Sequence, residues 1–451
     1  MKEESLQAPT RHPIAWQTPE FWDEQAVERE LERVFDICHG CRRCVSLCGA
    51  FPTLFDLVDS GPTGEIDGVE KERYREVVDR CYLCDICFMT KCPYVPPHSW
   101  NVDFPHLMLR AKAVAFRKTG GRTRDRVLSA TDALGKLAGI PVVTQAVNAV
   151  NQSAAGRIAA QSVLGVDRKA WRPMYAAKKF RRTAPRRWVG APVRDGERTP
   201  GKVAVYATCY VNYQEPGIGH DLLRILEHNA IPYTLVEKEA CCGMPKLELG
   251  DLDGVARLKE RNIPVLAALA RDGYAIVAAV PSCVLMFKSE LPLMFPEDDD
   301  VRVVAAAMWD PFEYFVARSN DGLLRREFPN PLGAVSYHVP CHARVQNVGR
   351  RTQEALQWIP QTVVTVVERC SGHAGTWGVK TEFHASAMKI GRPVFRAMLQ
   401  ARPDYISSDC QLAAHHIEQG IAEMRAAEGG EGAAPRLAHP LTLLRMAYGL
   451  S

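Results

Sequence analysis

From about residue 200 onward, short apolar runs alternate with longer stretches whose apolar residues recur every three or four positions. "KVAVYA", "YTLVE" and "YAIVAAV" have the length and the β-branched or aromatic content of buried strands. Helical periodicity near 220–229 and 253–271 separates them, and "AVSYHV", "VVTVVE" and "DYISS" repeat the theme between 334 and 408. Such alternation predicts an α/β fold with two small sheets flanked by helices. No run of about 18 apolar residues is present to span a bilayer. The strongest, "YAIVAAVPSCVLMF", is short and broken by Pro281.

Cysteines follow these strands, where open α/β sheets place their ligands. In the first half Cys209 follows "VAVYAT", Cys241-Cys242-Gly243 follows "VEKEA", and Cys283 follows "IVAAVPS". In the second, Cys341 follows "VSYHVP", Cys370-Ser371-Gly372 follows "VVER", and Cys410 follows "YISSD". The offsets of 132, 129 and 127 residues are nearly in register, which predicts an internal duplication.

The N-terminal cysteines follow another rule. Cys38, Cys41, Cys44 and Cys48 are spaced C-x2-C-x2-C-x3-C, and Cys81, Cys84, Cys87 and Cys92 are spaced C-x2-C-x2-C-x4-C before Pro93. A cubane cluster takes three thiolates from one tight loop and a fourth from elsewhere, and in two-cluster ferredoxins the fourth cysteine of each run serves the other cluster. The expected ligand sets are therefore Cys38, Cys41, Cys44 and Cys92 for one [4Fe-4S] cluster, and Cys81, Cys84, Cys87 and Cys48 for a second. Gly49 stands where proline usually follows, and one extra residue precedes Cys92; both departures touch the fourth ligands. The alternative, a pair of structural zinc sites, leaves the third cysteine of each triplet without use.

Composition changes the picture in two respects. Fifteen cysteines, with no apolar leader in "MKEESLQAPTRHP", point to metal or redox chemistry in a reducing, cytoplasmic setting rather than to disulfides. Net charge is +4, but residues 110–187 carry eighteen Lys or Arg against Asp125, Asp132 and Asp167. That stretch reads as a basic helical connector, or as a docking surface for anionic lipid or an acidic partner. Nucleic acid is not expected, since aromatics are few there and no recognition motif accompanies them. No dinucleotide fingerprint or P-loop is present, and the glycines of "GMPKLELG" and "GTWG" read as tight turns.

"CYVNYQEPGIGHDLL", "EKEACCGMPKLELGDL", "YHVPCHARVQNVG", "GTWGVK" and "HPLTLL" resemble the CCG-domain iron–sulfur oxidoreductases related to heterodisulfide reductase, most of all the C-subunit family of anaerobic glycerol-3-phosphate dehydrogenases. The resemblance implies a ferredoxin-type domain with two [4Fe-4S] clusters over 1–108, a basic helical connector over 109–198, and CCG domains over 199–331 and 332–451. It also implies electron delivery from a flavin dehydrogenase toward a quinone, on the inner face of the membrane. Five cysteines per domain hold a noncubane double cluster in heterodisulfide reductase. Here the first domain keeps Cys209, Cys241, Cys242 and Cys283, with Met286 in the last place. The second keeps Cys341, Cys370 and Cys410, with Ser371 and Ala413 replacing two, which makes His373, with His338 and His342, candidates to complete it. Three readings stay open: an electron-transfer subunit with an additional cluster in the CCG domains, a reductase acting on a disulfide, thiol or quinone, and a redox sensor or scaffold.

Overall fold

The computed structural model describes residues 9–427 and 433–451. The N-terminal third is helical. α1 (Glu24–Cys41) opens on Asp23, whose side chain accepts from the backbone N–H of Gln25 and Ala26. It buries Val27, Leu31, Val34 and Phe35 along one face and ends at Arg42 in the left-handed region (φ 53°), so the first cysteine run straddles its last turn. α2 (Ala50–Asp59) starts two residues after Cys48, and α3 (Tyr74–Arg80) stops just before Cys81. α4 (Phe104–Thr119) closes the group, with the Phe104 ring 4.7 Å from Phe51 and 6.1 Å from Phe35.

Four shorter helices make up most of the connector: α5 (Thr123–Leu128), α6 (Thr131–Ala138), α7 (Pro141–Gln152) and α8 (Ala154–Leu164).

The rest is α/β. β1 (Arg187–Trp188), β2 (Val203–Val205), β3 (Tyr233–Leu235), β4 (Ala275–Val277) and β5 (Met308–Trp309) form a sheet ordered β1-β3-β2-β4-β5, parallel except for the β1 edge. β6 (Gly333–His338), β7 (Thr362–Val367), β8 (Tyr405–Ser408) and β9 (Arg436–Leu437) form an all-parallel sheet ordered β7-β6-β8-β9. Removing β1 leaves the same order twice, and the expected duplication is seen in the strands. All six strands read from the sequence are present; β1, β5 and β9 are additional.

The first sheet is covered on both faces, as parallel sheets require. Val203, Val205, Ala275 and Val277 join a core that reaches Leu441, Leu443 and Leu444 of the C-terminal helix Pro440–Ala447. Ala204, Tyr206, Ile276 and Ala278 point the other way, into a core continuous with Phe35, Leu54 and Met108 of the N-terminal helices. That second core also includes Cys81, Cys87, Cys241, Cys242 and Cys283.

Candidate functional site

The two N-terminal cysteine runs sit where helices stop. Burial, then the charges of Cys92, Cys44 and Cys41, push the Cys38 thiol well up. Burial, then Cys92 and Cys41, raise Cys44 to about 12. Cys92 therefore lies with the first triplet. Cys87 is raised by burial and then by Cys84, Cys81 and Cys48, and Cys48 by burial and Cys81, so Cys48 lies with the second triplet. The extra residue before Cys92 has a structural cause. Residues Cys87–Lys91 form a π turn, closed by the Cys92 N–H donating to the Cys87 carbonyl at 2.9 Å, which absorbs one residue without displacing the sulfur's loop.

The Cys81–Cys87 loop bends through two left-handed residues, Leu83 (φ 53°) and Asp85 (φ 61°). A buried guanidinium fixes it. Arg11 donates to both carboxylate oxygens of Asp85 (2.9 and 3.0 Å) and of Asp103 (2.9 and 3.1 Å), and stands 3.6 Å from Glu290 of the α/β part.

One cavity joins this loop to the second sheet. About 310 Å³ in volume, it is lined by Cys48, Cys81, Cys84 and Cys87 from the N-terminal runs and by Cys341 and Cys370 from the duplicate half. The Tyr82 hydroxyl lies 3.0 Å from the Cys370 sulfur, and the Tyr82 ring packs 5.2 Å from Trp377. Burial, then Cys341, Cys370 and Cys48, raise Cys84. Cys341 is raised by burial and then by Cys370 and Cys410, so these three form one group, and burial pushes Cys410 to about 11.

The strand-end cysteines of the first sheet form a second group. Cys209 begins the short helix Cys209–Tyr213, after Thr208 in the left-handed region (φ 63°). Hydrogen bonds from Cys209 and Cys242 pull the Cys241 thiol down, against the opposing effect of its burial. Cys242 in turn is raised by its bond to Cys241 and by Cys283. Asn262 clamps the turn, accepting from Ala240 N–H at 2.8 Å and donating to the Cys241 carbonyl at 3.0 Å. The connector closes over this group. Asp132 of α6 accepts from Cys241 N–H at 2.7 Å. Gly135 permits the approach, because a Cβ there would run into the Tyr213 ring.

The cysteine-rich domain model called CCG matches residues 203–288 and 335–418, the two segments that carry these groups. The chain carries two CCG domains. It is similar to the C-subunit of the anaerobic glycerol-3-phosphate dehydrogenase of Escherichia coli K12, with 27% identity over 77% of this chain and 82% of the relative. It is also similar to the B-subunit of the fumarate reductase (CoM/CoB) of Methanothermobacter marburgensis (26%; 56% and 48%) and to an uncharacterized iron–sulfur protein of Methanocaldococcus jannaschii (25%; 50% and 42%).

Within the first CCG domain, Met286 is fully buried and packs over Gly243, its Cε 3.7 Å from where a Cβ on that glycine would lie. In the second, the three histidines take different places. Both ring nitrogens of His338 are engaged, by Ser408 Oγ at 3.1 Å and the Arg369 carbonyl at 2.9 Å. Burial lowers His342, and Asp85 and a hydrogen bond with the Leu83 backbone oppose it, so His342 faces the N-terminal loop. His373 lies with its ring 5.9 Å from His416, and burial plus His416 hold it down at about 3. The structure thus brings Cys341, Cys370 and Cys410 together and sets His373 beside His416.

Two residues that the motifs did not single out face the second CCG domain. Tyr82 lies inside the first C-x2-C of its run, where any residue satisfies the spacing. Glu248 of "GMPKLELG" is half-buried near Cys341 and Cys410, and desolvation, opposed by Lys112 and Lys380, raises it to about 7. Gly375 (φ 54°) lets it in, since a Cβ there would stand 2.6 Å from Glu248 Oε2.

Proposed function

We propose that this chain is the electron-transfer subunit of an iron–sulfur oxidoreductase. Cys38, Cys41, Cys44 and Cys92 hold one [4Fe-4S] cluster, and Cys81, Cys84, Cys87 and Cys48 hold the other. A further cluster belongs to Cys209, Cys241, Cys242 and Cys283. The observation that carries the reading is the cavity where the second N-terminal run meets Cys341 and Cys370, with Tyr82 between them.

The donor sets fit such groups. All fifteen cysteines are free. Burial and mutual repulsion oppose ionisation of the buried N-terminal thiols, a cost that bound cations offset. Backbone N–H groups of Leu83, Ile86 and Tyr94 point at the sulfurs of Cys81, Cys84 and Cys92, the hydrogen bonding by which a chain tunes cluster potential. Among the described residues no group of three or more His, Cys, Asp or Glu converges as a single ion requires; thiolates on the corners of a multi-iron cluster stand further apart. Bound clusters supply one-electron chemistry. The chain's own part is to hold the thiolates, keep water out and set the spacing.

The sets also stand in order. Cys44 acts on Cys87, Cys84 neighbours Cys370, and Tyr210 of the first CCG domain lies within the field of Cys410. The helices Pro281–Leu285 and Cys341–Arg344, which carry Cys283 and Cys341, pack together, and Gln346 bridges them by donating to the Pro281 carbonyl. This order supports an electron path from the N-terminal helices through the second CCG domain to the first. The relatives named as parts of a dehydrogenase and a reductase support a redox partner, which we assign to a flavin dehydrogenase, with a quinone or a thiol or disulfide at the other end.

No single helix among the described residues is long and apolar enough to cross a membrane. Instead α6 to α8 expose Leu137, Ile140, Val142, Val150, Ile158 and Val163. Exposed apolar side chains on short helices within a basic stretch suit peripheral attachment to an anionic bilayer.

Iron and acid-labile sulfide per chain, with EPR of anaerobically purified protein, test the reading. Cys41→Ser and Cys84→Ser should each remove roughly one cubane's worth of iron. Full iron and an unchanged spectrum in both variants would sink the cluster assignment.

A further inference from the structure

A second cavity opens beside the first CCG domain's cysteines, about 710 Å³ in volume, with Cys209, Thr208, Asn212 and Tyr213 in its wall. Its charge is lopsided. Lys136, Lys179, Arg181, Arg182, Lys238 and Arg261 line it against two carboxylates, Asp132 and Glu239. Both acids are already engaged: Asp132 accepts from Cys241 N–H at 2.7 Å, and Glu239 accepts from Ala207 N–H at 2.9 Å and pairs with Arg181 at 3.1 Å. Lys179 lies over the Tyr213 ring, 5.3 Å from its centroid, with its ammonium 3.4 Å from the Lys136 carbonyl. Like charges gathered in a concave wall repel one another and focus a positive potential into the opening, an arrangement that an anion relieves.

The cations come from separate parts of the chain. Lys136 sits on α6 and Lys179, Arg181 and Arg182 near 180, all outside the segments matched by the CCG model, whereas Lys238 and Arg261 lie within one. The connector therefore does more than join two halves, since its folding over the cysteines builds half of this wall.

We propose that the cavity binds a small anionic molecule carrying a phosphate or carboxylate group, held by Lys136, Lys179, Arg182, Lys238 and Arg261 beside Cys209. This rests on the reading of the first CCG domain as the far end of the electron path, and it names the chemical class of what meets the path there. The bound charge faces the cations, which leaves the remainder of the molecule against Tyr213 and the cysteine wall. The proposal concerns binding alone.

Isothermal titration of the full, anaerobically purified chain with inorganic pyrophosphate is the test. Saturable binding is expected, weakened roughly tenfold or more in Lys179→Gln/Arg182→Gln, two side chains whose polar ends are not part of the core. The charge-matched pair Lys389→Gln/Arg396→Gln, on the exposed side of the helix Thr381–Gln400, should bind as the parent does. No saturable binding, or equal binding by the Lys179/Arg182 variant, overturns the proposal. Sedimentation with phosphatidylcholine vesicles, with and without phosphatidylglycerol, separates the two sources of phosphate. Retained vesicle binding by the Lys179/Arg182 variant supports a free small molecule, and loss of both together assigns these cations to lipid head groups and overturns it. Iron content and EPR of the same samples report on the electron path separately, so failure of one reading is not mistaken for failure of the other.

Discussion

His415 ties three parts of the chain together through one ring. Its Nε2 lies 2.8 Å from Glu215 of the first CCG domain and its Nδ1 3.1 Å from Glu418, while the ring stacks on Trp171 of the connector at 4.4 Å. Burial alone would lower its pKa, but hydrogen bonds to Glu215 and Glu418 outweigh it and raise the value to about 9. A folded pKa above the unfolded value of about 6.5 stabilises the fold fully below that pH, and the stabilisation is lost as pH rises through about 9. His415→Gln should therefore cost about 3 kcal/mol near pH 6 and much less above about pH 9.5. Anaerobic thermal melts of both proteins across that range check it, and a pH-independent gap would show that packing on Trp171, not charge, sets the cost. His415 was not legible in the sequence, because its partners lie 200 residues away and three residues away with no motif linking them. Tyr82 and Glu248 escaped for the same reason: each acquires its role from a neighbour that only the fold supplies.

Elements explain which departures from motif are harmless. The extra, fourth residue between Cys87 and Cys92 is taken up in a π turn, so the chain still brings Cys92 to Cys38, Cys41 and Cys44. The six longer strands were readable because each carries a compact apolar run; β1, β5 and β9 have two residues apiece and no periodicity to detect. Cysteine spacing made the N-terminal groups legible, since each run is local in sequence. How the elements lock together was not, and Arg11 is the clearest case. With Asp85, Asp103 and Glu290 around it and His106 3.3 Å from both Asp103 and Glu290, it joins the cysteine loop, α4 and the first CCG domain. Arg11→Met leaves three carboxylates without their shared guanidinium, in a site where the Asp85 and Glu290 side chains are just 6% and 4% exposed. Removing one partner of a buried ion network costs about 3–5 kcal/mol. The expected outcome is a chain that loses iron from the second N-terminal set and melts well below the parent, read by iron analysis and circular dichroism. A parent-like melt would mean that the carboxylates are protonated or hydrated at no cost.

At the scale of the molecule, the connector carries most of the exposed large apolar side chains among the described residues. Its apolar side chains are the largest departure from an ordinary soluble surface: Val142 and Val163 are each 79% exposed, on helices that flank one another. Such exposure within a segment of strong positive charge is costly in water unless something covers it. The bend of 108° between α6 and α7 sets the pair against spanning a bilayer straight through, and favours helices lying in the interface. An interfacial position would also set the basic cavity beside Cys209 near the membrane surface, because Leu137 follows Lys136 on the same helix. Val142→Asp/Val163→Asp should fold normally, since neither side chain supports a core. It should bind phosphatidylglycerol vesicles at least about tenfold more weakly, because it loses two buried valines' transfer energy and adds two charges of the wrong sign. Sedimentation at low and high salt reads both parts. An apolar contribution persists at high salt in the parent and is absent in the variant, whereas a purely electrostatic attachment disappears with salt in the parent as well. Equal sedimentation of parent and variant would rule out the apolar face as a membrane-binding surface.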